Sequence, residues 1–145
     1  MRALSVIAVL FGLLLALSPA LSRQRSGGYL IVANPRNPET EVDRQFLEGA
    51  FLKKITRWPN DEVIRPAELV ESGPARQQFS EDILERSVEA VKGYWQQRIF
   101  SGRDVPPPEF ATSQEVIDYV LKYEGAIGCV AVDSNLNGVK VLAIK

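Results

Sequence analysis

The chain of 145 residues contains no histidine, one cysteine and one methionine, and its formal charge is −1. Without histidine there is no Ser-His-Asp or Cys-His nucleophile and no His-ligated metal. One thiol, Cys129, closes no internal disulfide and starts no cysteine zinc cluster. It lies in the apolar run 126–132, where a buried, inert thiol is expected. A near-zero charge leaves no electrostatic footprint for nucleic acid. General acid–base work would fall to carboxylates such as Glu71 or Asp133, and nothing in the sequence sets their environment, so no enzyme activity is expected. Neither a cofactor nor a metal is expected.

Long apolar runs are scarce after the amino terminus. Arg2 precedes an almost wholly apolar stretch, 3–17, and Ser18-Pro19-Ala20 or Ala20-Leu21-Ser22 fits a small-x-small cleavage pattern. Residues 1–22 therefore read as a signal peptide, with an uncleaved anchor as the alternative reading. The stretch is short for a membrane span, and no later one is long enough. A periplasmic or secreted location follows as the expectation. Residues 23–28 read as a flexible polar leader, and 29–145 as one domain. A chain of that size buries about two thirds of its unfolded surface, enough for a core without disulfides.

The stretch 63–79, VIRPAELVESGPARQQF, organises that domain. Val63, Ile64, Leu69 and Val70 read as a strand interrupted by Pro66. Ser72 and Gly73 fall where a helix N-cap is expected, and Pro74 where a missing N–H costs nothing. Such a helix start offers unpaired amides and the positive end of the helix dipole, and can hold an anion. Arg76 is placed to add a charged fork. The plainer reading of the same residues is a cap at Ser72 and a solvated Arg76.

Around this stretch the chain alternates strands and helices. Residues 29–33, YLIVA, read as a buried strand. It ends at Asn34-Pro35, and Asn34 and Asn37 follow its carboxyl end, the edge where open α/β sheets bind ligands. Turn chemistry explains both asparagines equally well. Residues 42–54 carry an apolar helical stripe at Phe46, Leu47, Ala50 and Phe51. Trp58, ahead of Pro59, is expected to pack on the sheet rim. A helix is expected over 76–85. Ser87 is expected to cap another over 88–100, with Val88, Val91, Trp95 and Ile99 as its apolar stripe and Ser101-Gly102 as its stop. Three prolines make 103–110 an extended connector. Thr112-Ser113-Gln114-Glu115 is a capping box for a helix to about Tyr123. Residues 125–132 read as a buried strand whose two glycines signal close backbone approach. Asn137-Gly138 then predicts a hairpin to a last strand, 139–144. The pattern is that of an α/β sandwich with a mixed, mostly parallel sheet flanked by helices.

Several of these pieces together resemble one family. They are Val32-Ala33-Asn34-Pro35-Arg36-Asn37-Pro38, Phe51-Leu52-Lys53-Lys54-Ile55-Thr56-Arg57-Trp58, Ser72-Gly73, Tyr94-Trp95 and Gly125-Ala126-Ile127-Gly128. In order and spacing they resemble the phosphate-type substrate-binding proteins of ABC transporters, which have the type II periplasmic-binding-protein fold. The resemblance covers about residues 29–133. Full members have two lobes that close on the ligand by a hinge, and this chain has material for one.

The resemblance implies a single binding-protein-like lobe. It also implies phosphate or a similar oxyanion as ligand, Ser72 and Gly73 as its contacts, and a membrane permease as partner. In the family a Ser-Gly-Thr turn at a helix start, with an arginine four residues earlier, holds the phosphate oxygens. Here the threonine position is Pro74, the arginine position is Glu68, and Lys53 stands where a glycine is usual. The expected site is therefore Ser72, Gly73, Arg76 and Asn34, with Arg76 replacing the missing arginine. Binding is expected to be weak, or to need a homodimer that rebuilds a two-walled cleft. The alternative is a periplasmic interaction or structural module, with an envelope protein as partner, that has lost the ligand.

Overall fold

A computed structural model describes residues 28–145. Residues 1–22, expected to be a signal peptide, and nearly all of the expected leader lie outside the described residues. Six strands form one sheet: β1 (Tyr29–Ala33), β2 (Glu41–Val42), β3 (Arg65–Leu69), β4 (Glu109–Phe110), β5 (Ala126–Ala131) and β6 (Lys140–Ile144). Four helices accompany them: α1 (Arg44–Phe51), α2 (Pro74–Asp82), α3 (Val88–Phe100) and α4 (Ser113–Lys122). The strand order is β2-β6-β1-β5-β3-β4.

The sheet is mixed and mostly parallel. β3 pairs in parallel with both β5 and β4, and β2 with β6. β1 is antiparallel to both of its neighbours, β5 and β6. Five strands thus run one way and β1 alone runs against them. The expected hairpin between the last two strands does not form. β1 lies between them, with Ile31 opposite Cys129 on one side and Leu142 on the other. Gly138 does turn with a positive φ of 85°, but the turn feeds a strand that pairs with β1. Turn chemistry sets the local bend. Which edge the next strand joins depends on burial.

Alternation along the central strands divides the core. Ile31, Ala33, Ile127 and Cys129 face Leu47, Phe51, Phe79, Ile83, Val91 and Trp95 from α1, α2 and α3. Val32, Ala67, Ala126 and Val130 face Val116, Ile117 and Val120 of α4. Both faces of the central strands are buried, which is why their sequences are continuous apolar runs. Cys129 is fully enclosed, and burial raises its thiol pKa further.

Local signals account for the helix starts. Asp43 caps α1 by accepting from the Phe46 amide, and Ser87 caps α3 by accepting from the Ala90 amide. Thr112 and Glu115 form the reciprocal capping box of α4. The proline connector leads into β4, an edge strand, where prolines are tolerated because the outer side of the ladder has no partner. Gly125 is a close-approach point. Its carbonyl accepts from the Arg65 amide and from the indole Nε1 of the buried Trp58, each at 3.0 Å. A Cβ at Gly125 would lie 1.9 Å from the Val63 carbonyl oxygen. Gly125→Ala should lower unfolding free energy by about 1–3 kcal/mol. Denaturant titration checks this, and an unchanged midpoint would remove the close-approach argument.

Candidate functional site

β3 delivers the chain to the site. Its Glu68 points away from Ala67, toward the α2 and α3 layer, because side chains alternate along a strand. Glu68 is fully buried, and so is Arg76, one turn into α2. The Arg76 Nη2 donates to the Glu68 Oε2 at 3.1 Å. Arg76 is therefore no solvated side chain. The pairing is incomplete: Glu68 Oε1 and the Arg76 Nε and Nη1 have no partner among the described residues.

Register adds a second carboxylate. Glu109 of β4 stands opposite Glu68 of β3, and the connector holds this edge through Glu68 N–H to Pro108 O at 3.0 Å and Val70 N–H to Phe110 O at 2.9 Å. Burial pushes the Glu68 carboxyl up to about 7, Arg76 opposes the rise and Glu109 adds to it.

Above the pair lies the helix start. Gly73, extended at φ −89° and ψ 143°, is the N-cap, with Pro74 at the first position. No side chain caps the turn. Ser72 is exposed and its hydroxyl does not take the capping role expected of it. The amides of Ala75 and Arg76 are thus left without a side-chain acceptor.

Beside this turn a groove of about 420 Å³ runs between α3 and the connector. Val91, Trp95 and Ile99 form one wall, Pro106 and Pro107 the other, and Arg76 the floor. The indole Nε1 of Trp95 is buried there without a partner. Lys92 and Glu71 sit at the rim, 3.9 Å apart. Counting Glu68 beneath the floor, three carboxylates face two cations, so the groove does not by itself attract an anion at neutral pH.

Asn34 does not join this site. Because β1 runs antiparallel, its carboxyl end lies at the amino ends of β5 and β3, on the opposite edge of the sheet from Ser72 and Gly73. The Asn34 amide donates to Val120 O at 3.0 Å and to Leu121 O at 3.3 Å, closing the last turn of α4, while its Oδ1 accepts from the Arg36 amide at 2.9 Å. Turn and capping chemistry accounts for all of it. The structure brings Ser72, Gly73 and Arg76 together. It adds Trp95, Lys92 and Glu109, which sequence reasoning missed. One signal was present: an acid inside an apolar strand needs a buried partner.

The arrangement is a single α/β lobe whose candidate site follows the carboxyl end of β3. Solved structures with the same fold include phosphate-transport receptors. One, an ABC-type phosphate transport receptor from Vibrio cholerae, is 21% identical with a TM-score of 0.62, over 81% of this chain and 46% of that one. Another, from Clostridium perfringens, assigned to phosphate ABC transport and solved with bound phosphate, is 18% identical at 0.64, over 81% and 44%. PstS from Borrelia burgdorferi is 13% identical at 0.61, over 81% and 47%. This chain thus spans less than half the length of each. No protein-family model and no curated protein sequence matches it.

Two outcomes test the buried pair. Glu68→Leu strands a guanidinium that cannot shed its proton, and should cost about 3–5 kcal/mol. Arg76→Met should cost less, because Glu68 can take up a proton and become neutral; equal losses would contradict this. The Glu68 pKa rises on folding from its ordinary 4.5 to about 7. A raised pKa means the folded state holds the proton more tightly. The stabilisation is complete below about 4.5 and disappears as pH rises through about 7. The stability of wild type relative to Glu68→Gln should therefore fall across that window, and a rise would show that Arg76 outweighs burial.

Proposed function

We propose that this chain is a solute-binding lobe that takes phosphate or a similar oxyanion at the start of α2. The contacts are Ser72, Gly73 and the first amides of the helix, with Arg76 beneath. One observation carries the reading. The helix start, which no side chain caps, follows closely on the carboxyl end of β3, and the buried Arg76 of its first turn has two nitrogens without a partner among the described residues. The fold likeness to phosphate-transport receptors, one of them solved with phosphate, supports the same choice of ligand. Transport would require an ABC permease, and a periplasmic location accords with the apolar segment 1–22.

The affinity is low for physical reasons. An exposed helix start contributes only about 0.3–1 kcal/mol. The Glu68 carboxylate offsets the Arg76 charge, and one lobe leaves the anion open to water. Protonation of Glu68 frees the guanidinium, so binding strengthens as pH falls.

Sulfate is the cleaner probe, since its charge is constant across the range. Calorimetric titration of the full chain with sulfate, and with phosphate in parallel, should give weak binding at about pH 8 that tightens about tenfold at about pH 5.5. Glu68→Gln should bind at about pH 8 as wild type binds at the lower pH. Ser72→Asp places a charge at the turn without burying anything and should abolish binding while leaving the fold intact. Absence of heat from wild type and Glu68→Gln alike would sink the reading and favour an interaction module.

A further inference from the structure

The other face of α3 carries a different charge pattern. Tyr94, Gln97, Arg98 and Ser101 recur at i, i+3, i+4 and i+7, and with Arg103 they line a cleft of about 450 Å³. Among the described residues, no carboxylate lines it. Gly102, at φ 66°, turns the chain back so that Arg103 follows directly on the end of the helix. There the Arg98 carbonyl accepts from the Ser101 Oγ at 3.1 Å and from the Arg103 amide at 3.0 Å.

Tyr94 is the fixed plate of this cleft. Its hydroxyl donates to Leu52 O at 2.9 Å. The Arg98 guanidinium carbon lies 5.2 Å from the ring centroid and that of Arg86 lies 5.3 Å from it. Cation–π contact holds two like charges near one ring and restricts their rotamers. Among the described residues, Arg86, Arg98 and Arg103 make no ion pair. Other arginine side chains among the described residues, Arg36, Arg44, Arg57 and Arg76, do donate hydrogen bonds. The Arg98 Nε is buried with no partner. Asp104, next in sequence, is engaged by Lys53 at 3.6 Å.

Preference of cations for a helix C-terminus explains one arginine at this place. It does not explain two guanidiniums on one ring, with a third lining the same cleft beside a hydroxyl and an amide, and no ion pair to any of them among the described residues. Guanidinium forks match the oxygens of phosphate groups. The volume exceeds that of a single tetrahedral anion and falls in the range of small-ligand sites.

We propose that the cleft at the end of α3, framed by Arg98 and Arg103 with Arg86 beside it, binds a multiply charged oxyanion of the di- or triphosphate class. The site is separate from the α2 turn: it shares no residue with that turn or with the groove beside it. Inorganic tripolyphosphate is the probe, titrated calorimetrically into the full chain with excess sulfate present to occupy the turn. Saturable binding is expected.

Arg98→Gln combined with Arg103→Gln should weaken it by about tenfold or more. Arg36→Gln combined with Arg57→Gln removes the same charge elsewhere and should change it less than about twofold. Ser72→Asp should leave it unchanged. Arg103 is exposed, so Arg103→Gln alone keeps the fold and should lose part of the affinity. Equal losses in the two double variants would reduce the effect to net charge and overturn the proposal. Loss of binding in Ser72→Asp, or no heat at millimolar tripolyphosphate, would overturn it as well.

Discussion

A carboxylate on the central sheet and a guanidinium on the helix above it share one dry space, and the site's geometry follows from that contact. Glu68 and Arg76 are both fully buried, yet only one oxygen and one nitrogen of the pair meet. Two charges in that position cannot be left to water, so α2 must seat its first turn over the end of β3. Seating α2 there brings the uncapped Gly73 to the carboxyl edge of the sheet and makes Arg76 the floor of the groove against α3. A buried pair of this kind adds little net stability, since desolvation offsets much of the attraction. Its consequence is positional.

The same pair changes what the helix start can do. An uncapped N-terminus over a free arginine attracts anions at any pH at which they are charged. Glu68 removes most of that attraction while it is ionised, and its in-register neighbour Glu109 discourages ionisation. The proposed oxyanion site is thus coupled to a single proton. Where the resembling family is expected to place an arginine, this chain places the acid, and the compensating cation comes from the helix eight residues on. The cation cluster on the opposite face of α3 has no such counterweight.

Much of the architecture was legible along the chain. The helix over 88–100, with Ser87 as its cap, the capping box at Thr112 and Glu115, and the buried runs 29–33 and 126–131 all follow from local chemistry. Trp58 packs as expected, with its indole donating to Gly125 O. The hairpin expected at Asn137-Gly138 does not form, because a turn fixes a bend and not a partner. β4 was hidden inside a proline connector, since an edge strand asks for only one side of its ladder. Of the expected site, Ser72, Gly73 and Arg76 are neighbours, whereas Asn34 serves the end of α4 on the other edge of the sheet.

The sequence by itself determined α3 and α4 with their caps, the apolar runs that must be buried on two faces, and the exclusion of histidine chemistry. These depend on residues close together in the chain, where propensity, periodicity and capping act over a few positions. Tertiary structure alone decided that β1 runs against five parallel strands, and so which edge receives Asn34 and which receives Ser72. It alone decided that Arg76 is buried against Glu68 and that, among the described residues, Arg86, Arg98 and Arg103 make no ion pair. Strand direction and charge pairing are set by contacts between residues far apart in sequence, where burial and desolvation outweigh every local preference.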